Sequence, residues 1–272
     1  KKEGADFSFK VIAHLNLRGG ISKTTASISL ASRAYQYGHK VAILDLDSQA
    51  SASLAFNITG ENNPVFINIW QQPEKIKKAL VDIEEGFSIL PSSLNNGLLD
   101  SALAKPIDQK NAVSGICKEL EKMGYTLVII DCSPSLGAAV VSTICAADII
   151  SIPVGSDVFS IRGLRLTVSE IKSICSAFGL KQPEIKILFS KYDGREKLSL
   201  STLSELAKDE EYSQLLLPCF IRTSSELPKA TKNKETVFAT LKKSTAREDY
   251  DMYTREILGF NNLSKKELGI IQ

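Results

Sequence analysis

The chain has 272 residues, of which 43% are hydrophobic, and its formal net charge is +2. This length and hydrophobic content suffice for one large α/β domain, and the near-neutral charge excludes a generally basic nucleic-acid-binding protein, so that any such contact must come from a local patch. The five cysteines are odd in number and contain no Cys-x-x-Cys pair, which favours reduced thiols in a cytosol over a disulfide framework or a zinc site.

Residues 11–25, VIAHLNLRGGISKTT, predict a strand, a loop and the start of a helix. Gly19 and Gly20 allow a tight turn that points backbone N–H groups inward, and the helix adds its positive N-terminal end, so the loop favours phosphate oxygens. Lys23 would place an ammonium against the β- and γ-phosphates, and Thr24 would offer a hydroxyl to Mg²⁺. The alternative is an ordinary glycine turn between a strand and a helix.

The next predicted strand, residues 40–46, ends in Asp-Leu-Asp-Ser-Gln. Alternation along a strand puts Asp45 and Asp47 on the same side, where two carboxylates repel unless a cation or water lies between them. The alternative is a pair of acids that caps a strand-to-loop turn. Residues 51–96 follow and are the least regular part of the chain, with breaks at Gly60 and three prolines.

The apolar run at 125–130 leads into Asp131-Cys132-Ser133-Pro134-Ser135-Leu136-Gly137. A carboxylate at the C-terminal end of a buried strand is the arrangement that holds Mg²⁺ through water in nucleotide-hydrolysing proteins. A hydrophobic strand that ends in aspartate is common, but this continuation is not.

Hydrophobic periodicity predicts alternating strands and helices throughout. We therefore expect one domain over residues 1–272, with a flexible tail at 1–8 and a C-terminal tail at 259–272. His14 is expected in the core and His39 in a solvated turn. Strands are predicted at 9–16, 40–46, 87–90, 125–130, 147–154, 184–190 and 215–221, and helices at 23–37, 68–81, 112–123, 164–178, 198–207 and 245–258.

The segment 219–247 is locally basic, with seven basic residues against two acidic ones, a net +5 within a chain of +2. Flexible lysines on a Thr- and Asn-containing loop suit sequence-independent contacts with phosphates. A solvated loop and helix face is the alternative reading of the same charges.

Three motifs resemble those of the ParA/MinD family of partition and positioning ATPases. Arg-Gly-Gly-Ile-Ser-Lys-Thr-Thr at 18–25 is similar to its deviant Walker A loop, K-G-G-V-G-K-T-T; Asp-Leu-Asp-Ser-Gln at 45–49 resembles its D-x-D-P-Q; and residues 131–137 resemble D-x-P-P-S-L-G. The resemblance implies a P-loop NTPase of the deviant Walker A type: an α/β fold with one twisted, mostly parallel sheet and helices on both faces.

The resemblance also implies ATP and Mg²⁺ as ligands and gives each motif residue a role. Arg18 would reach the nucleotide of a second subunit, Asp47 would position the attacking water, and Asp45 and Asp131 would support the metal. The implied nucleotide-binding residues are Gly19, Gly20, Ile21, Ser22, Lys23, Thr24, Thr25, Lys191 and Pro218; those implied for the metal are Thr24, Asp45 and Asp131; and those expected at DNA are Arg195, Arg222, Lys229, Lys232, Lys242 and Lys243.

The implied function is an ATP-dependent switch for plasmid or chromosome partition. An ATP-bound homodimer would bind non-specific duplex DNA, and a ParB-like partner would accelerate a weak ATPase and release it. Such a protein is cytoplasmic and associated with the nucleoid of a bacterium or archaeon. No secretory signal is visible, and no stable membrane association is expected, because residues 261–272 have few cations and no aromatic residue.

Two other functions stay open at this stage. Arg18, Ser22 and Ser48 depart from the family's motifs and permit a nucleotide-binding scaffold for DNA or a partner that no longer hydrolyses ATP. A membrane-positioning regulator related to MinD is the second.

Overall fold

The structure is a computed structural model, and it describes residues 6–18, 22–157, 159–240 and 242–260. Its centre is an eight-stranded sheet in the order β3-β4-β2-β5-β1-β6-β7-β8, parallel except for the antiparallel pairing of β3 with β4. The strands are β1 (Lys10–His14), β2 (Val41–Asp45), β3 (Val81–Glu84), β4 (Phe87–Leu90), β5 (Leu127–Asp131), β6 (Ile149–Val154), β7 (Glu184–Tyr192) and β8 (Leu216–Arg222).

Helices cover both faces of the sheet, and two short 3₁₀ turns, Pro73–Lys75 and Leu94–Leu98, lie between them. The helices are α1 (Lys23–Gln36), α2 (Ser51–Ala55), α3 (Phe66–Ile69), α4 (Ile76–Ala79), α5 (Leu99–Ala102), α6 (Pro106–Lys122), α7 (Ala138–Ala146), α8 (Ser160–Phe178), α9 (Lys197–Lys208), α10 (Glu226–Lys232) and α11 (Thr245–Ile257).

The central strands are apolar on both sides because helices pack on both sides of them. Every residue of β2 and β5 is buried. One core cluster contains the buried faces of α6, α7, α8 and α9, and a second contains those of α1 and α11. The predicted fold class is confirmed. Within the described residues, no helix is long and apolar enough to cross a membrane.

The register of the central strands brings three polar residues to one edge of the sheet. His14, at the end of β1, and Asp45, at the end of β2, both pair with Asp131 at the end of β5. These strands run parallel, so their carboxyl ends meet where α/β proteins form their ligand crevices.

The structure differs from the sequence prediction in several elements. The helix predicted at 68–81, with an interruption at Gln71-Gln72-Pro73, is divided there into α3, a 3₁₀ turn and α4, and β3 begins at Val81. Helix α7 was not predicted, because it is apolar almost all round and shows no polar face to mark its period. Helix α10 was not predicted either; none of its residues is buried.

His39 and the two expected tails also differ from prediction. His39 is 3% exposed, its Nδ1 lies 2.9 Å from Thr126 Oγ1, and its ring stacks on Phe260 at 5.8 Å. Phe260, expected in the C-terminal tail, is fully buried, and Phe7, expected in the N-terminal tail, contacts both rings. The buried Phe260 and the partly buried Phe7 together remove His39 from water.

Asp100 caps the helix that follows the Ser-Pro-Ser-Leu-Gly segment. Its Oδ1 accepts a hydrogen bond from the backbone N–H of Ala138, at 2.6 Å, in the first turn of α7. We expect Asp100→Ala to lower the free energy of unfolding by roughly 1 kcal/mol, because that N–H loses its acceptor. Urea denaturation measures the change. Asp100→Asn keeps an acceptor oxygen and should lose much less; equal losses would contradict a capping role.

Candidate nucleotide-binding site

A cavity of about 880 Å³ opens at the carboxyl ends of the central strands. Ligand pockets in proteins commonly have volumes of 300 to about 1,000 Å³. Its walls come from the start of α1, the segments that follow β2 and β5, α2, the ends of β7 and β8, the residues after β8, and α10. The lining residues are Ser22, Lys23, Thr24, Thr25, Ile28, Asp47, Ser51, Ala55, Cys132, Pro134, Lys191, Ile221, Arg222, Thr223, Ser224, Leu227, Pro228, Thr231 and Lys232.

Lys23 brings a nearly buried ammonium to this cavity. It is 7% exposed, and its Nζ donates to the carbonyl oxygen of Arg18 at 3.0 Å. Desolvation lowers the pKa of Lys23, and the nearby carboxylate of Asp131 opposes this shift. An anion in the cavity would therefore gain a poorly solvated cation as its partner. Gly19, Gly20 and Ile21, the rest of the predicted phosphate loop, lie outside the described residues.

Ser22 precedes α1 in a left-handed conformation, with φ 61° and ψ 22°. Residues with a side chain rarely adopt this region, and glycine does so without strain. The backbone here thus has the conformation that a glycine would favour, although the residue is serine.

Thr24 lines the cavity beside Lys23 and is hydrogen-bonded to the buried Asp131. Thr24 Oγ1 donates to Asp131 Oδ2 at 2.7 Å, and Ser27 Oγ donates to Asp131 Oδ1 at 3.2 Å. Asp131 is fully buried, so desolvation raises its pKa, while these two hydrogen bonds act in the opposite direction. A buried carboxylate beside a hydroxyl presents the hard oxygen ligands that Mg²⁺ prefers.

Asp45 and Asp47 do not share one side as predicted. Asp45 turns inward and is fully buried; its Oδ2 accepts hydrogen bonds from the backbone N–H (2.9 Å) and Oγ (2.6 Å) of Ser53. Asp47 lines the cavity, and its backbone N–H donates to Asp45 Oδ1 at 3.2 Å. The strand ends at Asp45, so alternation no longer applies beyond it. Asp45 is therefore not among the lining residues, although metal support was expected of it.

Arg18 lies outside the lining of the cavity. Its guanidinium makes an ion pair with Asp157 and donates to Ser160 Oγ at 3.2 Å. The face of Phe159 lies 5.6 Å from the guanidinium carbon. In this subunit the side chain expected to reach a partner is therefore bound to the start of its own α8.

Of the two residues predicted to contact the nucleotide from the side of β7 and β8, Lys191 lines the cavity and Pro218 does not. Lys191 lines the cavity, with φ 58° at the end of β7. Pro218 does not, because it lies within β8, four residues before the strand ends at Arg222, and its side chain is exposed. Pro228, in α10, lines the cavity instead.

The six residues expected at DNA have different surroundings. Arg222 and Lys232 line the cavity, and the Arg222 guanidinium is paired with Asp249, Nη2 to Oδ1 at 2.6 Å. Arg195 is 90% exposed and pairs with Asp193, while Lys229 pairs with Glu226 at 3.4 Å. Lys242 and Lys243 are exposed.

Three of these side chains have a hydrogen-bond or ion-pair partner that the sequence did not predict. Ser53 binds Asp45, Asp157 binds Arg18 and Asp249 binds Arg222. The paired residues are 8, 139 and 27 positions apart in sequence, and no motif or periodicity marks such a contact.

The residues at the cavity fit a nucleotide and a hydrated divalent cation. Lys23 supplies a cation for phosphates, and Thr24 with Asp131 supplies oxygen ligands. Among the described residues, no cluster of three or more His, Cys, Asp or Glu side chains could hold a metal. That composition agrees with Mg²⁺, which is usually bound by one or two protein oxygens together with water and substrate phosphates.

A family described as an AAA domain matches residues 9–187 of the chain, a span that contains all three motifs. The chain belongs to this family, as a ParA/MinD-type member. The matched span runs from the strand before the phosphate loop to β7.

Relatives across this family are similar over most of their length. The chain is 26% identical to the cell division protein PomZ of Myxococcus xanthus over 246 residues, which cover 90% of this chain and 76% of PomZ. It is 26% identical to the chromosome-partitioning ATPase Soj of Thermus thermophilus over 195 residues, which cover 72% of this chain and 74% of Soj. A solved ATP complex of a McdA variant from Cyanothece has the same fold, with a TM-score of 0.79 at 20% identity, covering 97% of this chain and 98% of McdA.

The buried pair Asp45 and Asp131 should make the stability of the ligand-free protein pH-dependent. Desolvation, followed by the charge of Asp131, raises the pKa of Asp45 above its ordinary value of 3.8. The folded state therefore holds more protons than the unfolded state, and this group's contribution to stability falls as the pH rises above about 4. We expect Asp45→Asn to remove a slope of up to roughly 1.4 kcal/mol per pH unit.

The readout is the difference in unfolding free energy between the wild type and Asp45→Asn at several pH values from 4 to 8. Because His14 and His39 are present in both proteins, their opposite pH dependence cancels. Asparagine also loses a hydrogen bond, which shifts the difference by a constant. A difference that does not vary with pH would contradict the raised pKa.

Proposed function

We propose that this ParA/MinD-type protein is an ATP-dependent switch for DNA partition. In this proposal it binds ATP and Mg²⁺, forms an ATP-sandwich dimer that holds non-specific duplex DNA, and is released by slow hydrolysis that a ParB-like partner accelerates. The single observation that carries the proposal is that Lys23, Thr24 and Asp47 line one cavity and that Thr24 Oγ1 is hydrogen-bonded to the buried Asp131.

Different residues at the cavity would bind the phosphates, hold the metal and position the attacking water. Lys23 would exchange the Arg18 carbonyl for β- and γ-phosphate oxygens, and Thr24 and Asp131 would hold Mg²⁺. The bound metal would neutralise charge that develops on the phosphates. Asp47, exposed to the same cavity, would orient a water molecule towards the γ-phosphate. Lys191 would lie beside the nucleotide at the end of β7.

Dimer formation would require Arg18 to change partner. Its guanidinium now binds Asp157 and Ser160 of its own chain. Arginine binds phosphate bidentately and always keeps its charge, so a second subunit's nucleotide is a chemically matched alternative to Asp157. Slow hydrolysis by a single subunit follows, because its site lacks this cation.

DNA contact is proposed for the exposed lysines that lie outside the cavity. Lys229, Lys242 and Lys243 are exposed and do not line the cavity, whereas Arg222 and Lys232 do. Flexible ammonium groups suit the phosphate backbone and carry no sequence information. Arg222 is a poor probe of DNA binding, because its loss would disturb both the cavity wall and the contact with Asp249 in α11.

The proposed location is the cytoplasm, on the nucleoid, where the DNA lies. The names of the relatives differ in cargo: PomZ is a cell division protein and Soj partitions chromosomes. A cargo for this chain therefore requires its genetic context, and the switch itself is tested first.

Asp47→Ala tests hydrolysis. We expect ATP affinity to be nearly unchanged and turnover to fall by about a hundredfold or more, because the attacking water loses its acceptor. Turnover is measured as phosphate release with DNA present, and affinity with a fluorescent ATP analogue. Gln49→Ala, two residues further on an exposed position, is the control. Equal turnover in the wild type and Asp47→Ala would favour the non-hydrolysing scaffold.

The double variant Lys242→Glu/Lys243→Glu tests DNA contact. We expect at least tenfold weaker binding of arbitrary duplex DNA by the ATP-bound protein, a shallower salt dependence and unchanged ATP affinity, because counterion release is reduced. Fluorescence anisotropy at several salt concentrations measures all three.

Its matched control is Lys77→Glu/Lys78→Glu, which changes the net charge equally at two exposed lysines of α4. Equal weakening by both pairs would mean that overall charge, and not a DNA-binding surface, governs the affinity. No weakening by either pair would exclude Lys242 and Lys243 from the contact.

A further inference from the structure

A line of buried hydrogen bonds joins helix α11 to Asp131, the aspartate to which Thr24 is hydrogen-bonded. Tyr253 Oη lies 2.8 Å from His14 Nε2, and His14 Nδ1 lies 3.0 Å from Ser27 Oγ. Ser27 Oγ in turn lies 3.2 Å from Asp131 Oδ1. All four residues are fully buried, so their polar atoms are held by one another and not by bulk water.

The four members come from four elements that meet at one point. Tyr253 belongs to α11, His14 to β1, Ser27 to α1 and Asp131 to β5. Tyr253 is fixed from a second side, because its Oη also donates to Ser151 Oγ at 2.8 Å. A buried polar network in which each member has a partner fixes its geometry strongly.

Helix α11 also reaches the other wall of the cavity. One turn before Tyr253, Asp249 binds the backbone N–H of Arg222 at 2.8 Å and its guanidinium at 2.6 Å. The same helix thus contacts a lining residue at one point and the line to Asp131 at another.

We propose that Ser27, His14 and Tyr253 are positioning residues for the Asp131 carboxylate, so that the seating of α11 and the binding of Mg²⁺ are coupled. The inference rests on the proposed Mg²⁺–nucleotide site. It goes beyond it by assigning a role to a histidine and a tyrosine that contact neither the cavity nor its ligand. Residues that orient a metal ligand typically change metal affinity tenfold to a hundredfold when lost.

The single proton of Ser27 makes the coupling observable. That proton can be donated to Asp131 or to His14 Nδ1, but not to both. With Mg²⁺ bound, the Asp131 carboxylate is an acceptor only, and Ser27 donates to it. His14 must then donate from Nδ1 to Ser27 Oγ and accept at Nε2 from Tyr253 Oη. The single hydroxyl proton of Tyr253 is then no longer donated to Ser151, whose own hydroxyl donates to Tyr253 Oη instead. The tautomer of His14 therefore reports on the state of Asp131.

The first test is nitrogen-15 NMR of the histidine side chains in the wild-type protein with ADP, before and after Mg²⁺ is added. The chain has only two histidines, so a His39→Gln variant assigns the spectrum. We expect neutral His14 with its proton on Nδ1 in the presence of Mg²⁺ and a shift of its signals on addition, with His39 unchanged. A proton on Nε2 in the Mg²⁺-bound protein, or signals that do not respond, would overturn the proposal.

The second test is the Mg²⁺ concentration that half-saturates ADP binding in three variants. Ser27→Ala should raise it about tenfold and Tyr253→Phe by a smaller factor, because each loses a step of the line. The matched control is Tyr250→Phe: this tyrosine is equally buried in α11, and its hydroxyl has no hydrogen-bond partner among the described residues. Tyr250→Phe should leave the Mg²⁺ dependence unchanged.

The coupling would be overturned if Ser27→Ala and Tyr253→Phe needed the same Mg²⁺ concentration for half-saturation as Tyr250→Phe. A loss of thermal stability in the two variants would not rescue it. Failure of the underlying function looks different: the wild type itself would then bind ADP without any dependence on Mg²⁺.

Discussion

The structure depends on keeping two carboxylates buried at neighbouring strand ends. Asp45 and Asp131 are register partners on β2 and β5, and neither is exposed. Desolvation and mutual repulsion disfavour two charges there. Neighbouring hydroxyl groups stabilise the two carboxylates by donating hydrogen bonds to them: Ser53 donates to Asp45, and Thr24 and Ser27 donate to Asp131. A divalent cation at Thr24 and Asp131 would remove part of the remaining strain, so binding and folding are linked at this point.

The sequence predicted what local patterns encode. Continuous apolar runs marked β1, β2 and β5, because a strand covered on both faces needs no polar side. Parallel strands end at one edge of a sheet, so the sequence predicts that Lys23 at the start of α1, Asp47 after β2 and Asp131 at the end of β5 lie near one another. Gly38, with φ 101°, ended α1 close to where the sequence had placed its end.

Sequence patterns did not predict the position of a side chain where a partner outside its own motif determines that position. Asp45 was assigned to the cavity by alternation, yet Ser53 draws it inward. Arg222 was assigned to DNA by resemblance and by the charge of its segment, and Asp249 in α11 pairs with it at the cavity wall. His39 was placed in water because it follows a glycine turn, yet Phe7 and Phe260, from the two ends of the described chain, close over it. The partners of Arg222 and His39 lie far away in sequence, and Ser53, eight residues after Asp45, lies outside the motif that contains Asp45.

Both margins of the described sheet resist the addition of another strand. Pro218 lies within β8, where it has no backbone N–H to offer and where the pairing with β7 changes register. At the opposite margin β3 has only four residues, and its exposed positions are Asp82 and Glu84. Short, acidic or proline-containing borders are how sheets avoid polymerising edge to edge. Contact between two copies through helices and loops is therefore favoured over a sheet that continues from one copy into the other.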